Sequence, residues 1–223
     1  KIFRNFIINC EKKIKYNNKK VIIVSFNPNN KYKIGHFLMK NITDVASNFL
    51  GHLIAQNKEG KKNVLVYDRG RDLSINKGAR YHQTREGGSI HTDNVNLSLK
   101  WNYMILSCLS EGQVGGETIL INAKDIYEKL RKRFKLAKKI LQKNFYWEKR
   151  GVAKTFYSAP ILKINNKGEP EFRYLRPYLE SAHIKKKKPL SSKQLYALDV
   201  LDALLESSDN QYRFYMKAGD LIL

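Results

Sequence analysis

The stretch Gly87-Gly88-Ser89-Ile90-His91-Thr92-Asp93-Asn94 sets an imidazole and a carboxylate two residues apart. If residues 89–95 run as a β-strand, side chains two apart leave the same face, so His91 and Asp93 can grip one metal ion together. That would supply two thirds of a two-histidine, one-carboxylate triad. Such a triad leaves three coordination positions open and suits Fe(II) that must also take a chelating co-substrate and dioxygen. Imidazoles bound to a metal normally find a partner for their other nitrogen. Gln83, Thr84, Arg85 and Asn94 flank the pair and are candidates for that supporting role or for contact with substrate. Arg173 and Arg176, in the segment Phe-Arg-Tyr-Leu-Arg-Pro-Tyr, could fork onto a substrate carboxylate, with a structural salt bridge as the competing reading for either.

Other reactive side chains read as ordinary. His183 precedes Lys185-Lys186-Lys187-Lys188-Pro189, a charge run expected to be a solvated loop, and is not expected to complete a metal site. His36, His52 and His82 read as helix or loop residues. Cys108, on an expected central strand, reads as packing, since no basic neighbour is evident to lower its pKa. The glycine pair Gly115-Gly116 precedes a strand and lacks the lysine of a phosphate-cradling loop.

These residues need elements to position them. Residues 1–20 read as a weakly packed N-terminal appendage. Val21 to Phe26 is a short β-branched run closed by Asn27-Pro28-Asn29-Asn30, hence a buried strand and a turn. Thr43 to Gln56 carries Val45, Phe49 and Leu53 on one face and is expected to be the first helix. Val64 to Tyr67 reads as a strand and residues 68–78 as a loop. Tyr103 to Cys108 and Thr118 to Asn122 follow as strands, then Lys124 to Lys143 as one amphipathic helix. Strand-like segments surround Phe156 and residues 161–164, joined by the turn Asn165-Asn166-Lys167-Gly168. Ser191 to Glu206 forms a capped helix with Leu195, Leu198, Leu201 and Leu205 inward. Residues 212–216 and 221–223 close as strands. Many short strands with helices between them suit an α+β fold, mainly β, of the jelly-roll kind, with the ligand in its mouth. No repeat or linker interrupts it, so one domain over residues 1–223 is expected.

From about Val21 onward the order of features resembles the taurine dioxygenase and clavaminate synthase-like family of Fe(II)- and 2-oxoglutarate-dependent dioxygenases. The matching pieces are an N-terminal helix before a short hydrophobic strand, then HTDN, NYMILSC, GGETILINAKDIYEKL and YRFYMKAGDLIL, in that order. The resemblance implies a double-stranded β-helix, cupin-like, with inserted and flanking helices. It implies that His91 and Asp93 ligate iron and that Thr118 helps to hold one carboxylate of 2-oxoglutarate. The cofactors would be Fe(II), 2-oxoglutarate and O2, with succinate and CO2 as co-products. The family's distal histidine and its 2-oxoglutarate-binding arginine would follow the strand of AGDLIL, so the C-terminal part of the domain is expected beyond Leu223. Related halogenases carry a small residue where Asp93 stands, so a carboxylate there implies hydroxylation, desaturation or ring closure. The expected substrate is a small molecule, an amino acid or related metabolite. The alternatives are the same chemistry on a nucleic acid or protein held by a basic surface, or a degenerate homologue without activity.

Composition bounds these readings. The chain has 223 residues, 42% hydrophobic and 11% aromatic, enough for a substantial core. No apolar run approaches the roughly 20 residues that span a bilayer. Two cysteines, Cys10 and Cys108, without Cys-x-x-Cys spacing, speak against a disulfide framework or zinc ribbon and for a reducing cytoplasm. The net charge of +22 would concentrate anions near the surface. It is spread as lysine among many Asn, Ile and Tyr, as an AT-rich coding sequence writes into exposed positions, so nucleic acid is the less favoured partner. Oligomeric state is not readable.

Overall fold

The computed structural model describes residues 2–16, 21–26, 34–55, 59–70, 81–83, 88–97, 101–149, 153 and 155–223. They divide into two compact units, residues 1–54, 101–118 and 213–223 in the first, and residues 55–100 and 119–212 in the second.

The first unit is built on α1 (Ile2–Tyr16), β1 (Ile23–Ser25), α2 (His36–Leu50), β2 (Leu106–Ser107) and β9 (Asp220–Ile222). The strands form an antiparallel sheet in the order β1-β9-β2, with Val24 opposite Leu221 and Leu106 opposite Ile222. A strand paired on both sides loses its edges to neighbours, and Asp220, Leu221 and Ile222 are all buried. Residues 1–20 are not the loose appendage expected. Ile7 and Cys10, three apart on one face of α1, are buried with Met39, Ala46, Leu221 and Leu223. The helix expected from Thr43 begins at His36 instead, because Met39 and Ala46, two turns apart, share its buried face. Thr43 does not cap it; its hydroxyl bonds Met39 O (2.8 Å) within the helix and Ser107 Oγ (2.8 Å) on β2. Gly51 stops it short of Gln56.

The second unit holds α3 (Ala123–Arg133), α4 (Lys135–Leu141), β4 (Asn144–Glu148), β5 (Phe156–Pro160), β6 (Leu162–Ile164), β7 (Pro170–Phe172), α5 (Arg176–Lys185) and α6 (Ser192–Glu206). Two hairpins set its frame. β4 pairs with β5, Trp147 opposite Tyr157, and β6 pairs with β7, Leu162 opposite Phe172. Trp147, Phe145, Leu130, Leu141, Leu179, Leu198 and Leu201 are fully buried in its core, and the Trp147 indole N–H reaches Ala159 O at 3.0 Å. The single helix expected over 124–143 breaks at Phe134 (φ −126°, ψ 53°). The break lets α3 bury Ile126 and Leu130 beside β7 while α4 buries Ala137 and Leu141 against α6. On α6 the expected cap is present as a reciprocal Ser191–Gln194 capping box. Leu198 and Leu201 are buried as expected, whereas Leu195 is exposed and Ala197 lies inward.

Strands β3 (Glu117–Ile121) and β8 (Gln211–Tyr215) pair with each other. Gly115 and Gly116 enter β3 at φ +74° and +81°, a left-handed turn that needs glycine and presents no phosphate cradle. Val64 to Tyr67, expected as a strand, is exposed and is assigned none; the Tyr67 and Arg69 N–H groups bond His82 O (3.2 Å) and Gln83 O (3.0 Å). Among the described residues helix outweighs strand, and the strands form small antiparallel sheets. The α+β class holds and its expected β weighting does not.

Candidate active site

Residues 89–95 are not the strand expected. Residues 93–96 form a turn, with Asn94 in the left-handed region (φ 59°) and Leu97 N–H closing onto Asn94 O at 3.0 Å. Asparagine tolerates that conformation better than other side-chain-bearing residues, which is why it can stand there. The turn brings together what a strand was expected to bring together. His91 Nε2 and Asp93 Oδ1 lie 3.6 Å apart, with side chains 31% and 47% exposed.

The chemistry of this donor pair fits a divalent metal. His91 Nδ1 lies 2.6 Å from Ser89 O, and a carbonyl can only accept, so Nδ1 carries a proton and Nε2, turned to the carboxylate, is left to take either a second proton or a metal. Two lone-pair donors pointed at one another repel unless a cation sits between them. Ligands about 2.1 Å from an octahedral ion on adjacent corners are about 3 Å apart, within a small side-chain rotation of what is seen. In the absence of a metal the same pair holds the His91 imidazole above its ordinary range, chiefly through the Asp93 hydrogen bond and against its own desolvation. Among the described residues no third His, Cys, Asp or Glu joins them.

The surrounding loop is fastened from the hairpin frame. Thr92 and Tyr174 exchange two bonds, Thr92 N–H to Tyr174 O (2.7 Å) and Tyr174 N–H to Thr92 Oγ1 (2.9 Å). The Tyr157 hydroxyl, on β5, donates to Val95 O at 2.5 Å. Arg173 Nη1 donates to Leu97 O at 2.6 Å and to the Tyr157 oxygen. Val95 is buried in the core of the unit. Neither Tyr157 nor Thr92 carried a signal in the sequence, since their partners lie 62 and 82 residues away.

The remaining candidates separate. Thr118 stands half-buried on β3. Gln83 is half-buried in a short 3-10 turn, Tyr81–Gln83; Thr84 and Arg85 lie outside the described residues. The Asn94 side-chain Nδ2 is buried with no hydrogen-bond partner among the described residues, a donor placed beside the ligand pair. Arg176 takes the structural salt-bridge reading. It is engaged with Glu180 (2.7 Å), Asp199 (2.7 Å) and Asp202 (2.6 Å), and Asp202 also accepts from the Tyr174 hydroxyl (2.5 Å). Arg173 forms no salt bridge among the described residues; its Nη1 is turned onto the main-chain carbonyls of Leu97 and Asn94. His183 is not on a solvated loop but buried on α5, both ring nitrogens bonded to the main chain. Cys108 is half-buried, its thiol pushed up by burial and by Glu111 and Asp220, as suits packing and not nucleophilic attack.

A family model for taurine catabolism dioxygenase TauD, TfdA family, matches residues 43–223. The chain belongs to that family. It is therefore a 2-oxoglutarate-dependent non-haem iron dioxygenase, with Fe(II), 2-oxoglutarate and O2 as its cofactor and co-substrates. Among solved structures it is similar to asparagine oxygenase in complex with Fe(II), 2S,3S-3-hydroxyasparagine and succinate (TM-score 0.65, 12% identity, covering 99% of this chain and 69% of that one). It is also similar to an aspartate-to-alanine mutant of the non-heme iron oxygenase OrfP in complex with (3S)-hydroxy-L-Arg (TM-score 0.65, 13% identity, 96% and 69%). The OrfP complex with Fe, succinate and (3S)-hydroxy-L-Arg matches as well (TM-score 0.55, 12% identity, 99% and 68%). At such identities the likeness is one of fold. No curated protein sequence matches the chain. No helix among the described residues is long and apolar enough to cross a membrane.

Proposed function

We propose that this dioxygenase hydroxylates an unactivated C–H bond of a free amino acid or a close relative, with iron held by His91 and Asp93. The observation that carries the reading is the convergence of Nε2 and Oδ1 at 3.6 Å with Nδ1 tied to Ser89 O. When bound, Fe(II) with 2-oxoglutarate and dioxygen supplies C–H oxidation coupled to decarboxylation of 2-oxoglutarate to succinate and CO2. The Ser89 carbonyl fixes the tautomer that presents a lone pair at Nε2. Asp93 brings one negative charge and fills a position that would otherwise be open to halide. Thr118, as the family resemblance implies, would offer a hydroxyl to a carboxylate of 2-oxoglutarate, and the Asn94 Nδ2 donor, without a hydrogen-bond partner among the described residues, is available to a substrate.

The amino-acid assignment draws its support from the hydroxyasparagine and hydroxyarginine in the structures of similar fold. We keep residues 1–223 as a single clavaminate synthase-like domain, as the family resemblance implies.

Anaerobic addition of Fe(II) and 2-oxoglutarate should give the visible charge-transfer band of a chelated complex, absent in His91→Ala and Asp93→Ala. A panel of free amino acids should then contain one that raises succinate production and gains one oxygen atom. A band that survives both substitutions refutes the site; a panel without a substrate refutes the substrate class. Turnover that collapses with rising salt would point instead to a polyanionic substrate, because phosphate contacts weaken steeply with ionic strength.

A further inference from the structure

We infer that Arg173 and Tyr157 are positioning residues for the iron ligand Asp93, acting through the main-chain carbonyls of the turn that follows it. The inference rests on the metal-site reading above and adds to it the residues that hold the site's shape.

Asp93 lies on a loop with no strand or helix of its own, and the direction of its carboxylate depends on the left-handed Asn94 turn. Two parts of the hairpin frame reach that turn. Tyr157 comes from β5, where its register opposite Trp147 is fixed by the buried hairpin, and its hydroxyl donates to Val95 O at 2.5 Å. Arg173 follows β7 directly. Its Nη1 donates to Leu97 O at 2.6 Å, approaches Asn94 O at 3.5 Å and donates to the Tyr157 oxygen, while the guanidinium carbon lies 5.3 Å from the centre of the Tyr157 ring. Arg173 makes no ion pair among the described residues, and its contacts at the turn all come from Nη1. A planar guanidinium lying 5.3 Å from the Tyr157 ring centre holds Nη1 in fixed relation to Leu97 O and the Tyr157 oxygen, which a lysine ammonium on a flexible stem cannot. On the other side of Asp93, Thr92 is fastened to Tyr174. The backbone on both sides of Asp93 is thus pinned, leaving its carboxylate chiefly side-chain torsions. A metal ligand must be held within about half an ångström of its productive position by supporting groups.

The test is an anaerobic titration of wild type, Arg173→Lys, Tyr157→Phe and His91→Ala with Fe(II) at saturating 2-oxoglutarate. It is read by the charge-transfer band, with circular dichroism to report the folded fraction. Tyr157→Phe keeps the ring and removes only the hydroxyl; Arg173→Lys keeps the charge and removes the fork. Both folded variants should bind Fe(II) roughly 10- to 100-fold more weakly, the usual loss when a group supporting a metal ligand is removed. A role confined to stability would lower the melting temperature and leave Fe(II) affinity of the folded protein unchanged, and that result overturns the inference. Should Arg173→Lys fail to fold, Tyr157→Phe decides by itself. A band lost in His91→Ala but undiminished in the two clasp variants refutes the clasp alone. A band retained in His91→Ala refutes the site and the clasp with it.

Discussion

His91 and His183 occupy opposite kinds of surroundings. His183 lies on α5 among apolar side chains, its ring 5.3 Å from that of Tyr146 and edge-on to Phe145 at 6.0 Å. Its Nδ1–H donates to Lys188 O (2.8 Å) and its Nε2 accepts the Tyr146 N–H (3.1 Å). Both nitrogens are occupied by main chain, so the residue staples α5 to β4 and has no lone pair for a metal. His91 gives one nitrogen to the main chain and turns the other toward a carboxylate. The shifts follow: burial pushes the His183 imidazole down, and Asp93 pushes that of His91 up. What an imidazole can do is decided by how many of its nitrogens the backbone leaves over.

The widest separation between the two should come from alanine. His91→Ala or Asp93→Ala should remove Fe(II)-dependent turnover altogether, a larger loss than the 10- to 100-fold expected for supporting residues. Their melting temperatures should barely move, as substitutions at exposed positions change stability by about 0.5 kcal/mol or less. His183→Ala should do the reverse. It leaves the Tyr146 N–H buried without an acceptor, at roughly 1–3 kcal/mol of stability by chemical denaturation, with Fe(II) affinity of the folded protein intact. A His183→Ala protein that folds normally and fails to bind iron would reverse the assignment. Arg176→Ala is the next test down. Its carboxylate partners range from 27% exposed for Asp202 to 64% for Asp199, so the loss should be about 1 kcal/mol, the upper end for solvent-facing pairs. The KM for the organic substrate should not change; a rise in KM would restore Arg176 as a substrate contact.

The contrast also shows what the sequence could disclose. His91 and Asp93 were legible as a pair, because two donor types at i and i+2 are a local pattern, yet the geometry that joins them was not. A strand would have aligned them by alternation, whereas the protein uses a turn whose Asn94 conformation is held by residues 62 to 79 positions away. Helix α6 was legible to within a residue of its start, with Ser191 and Ser192 both open as its cap, since Ser191, Leu198 and Leu201 lie within a few turns of one another. His183 was misplaced for a related reason. The lysine run after it reads as loop, but Leu179, Ala182 and His183 are spaced three and four apart and bury one face of α5. Short-range spacing carries a helix; it carries neither the partner of an edge residue nor the fastening of an irregular loop.

The smallest expected effect is on pH dependence, and it isolates His183 from every carboxylate. In the unfolded chain this imidazole titrates near pH 6.5. In the fold it is held lower, so between the two values the unfolded chain binds more protons than the folded one, and stability falls as pH falls. The contribution is fully present above about pH 6.5 and is lost progressively as pH drops through the folded value. Glutamine at this position should accept the Tyr146 N–H from where Nε2 stands and does not titrate. Wild type should therefore lose melting temperature between pH 7.5 and 5.5 more steeply than His183→Gln, other groups being common to both. Equal slopes would mean that His183 already accepts a proton in the folded protein as readily as in the unfolded one. The Tyr146 bond would then not be made by a neutral ring, and the difference drawn here between the two imidazoles would lose its chemical basis.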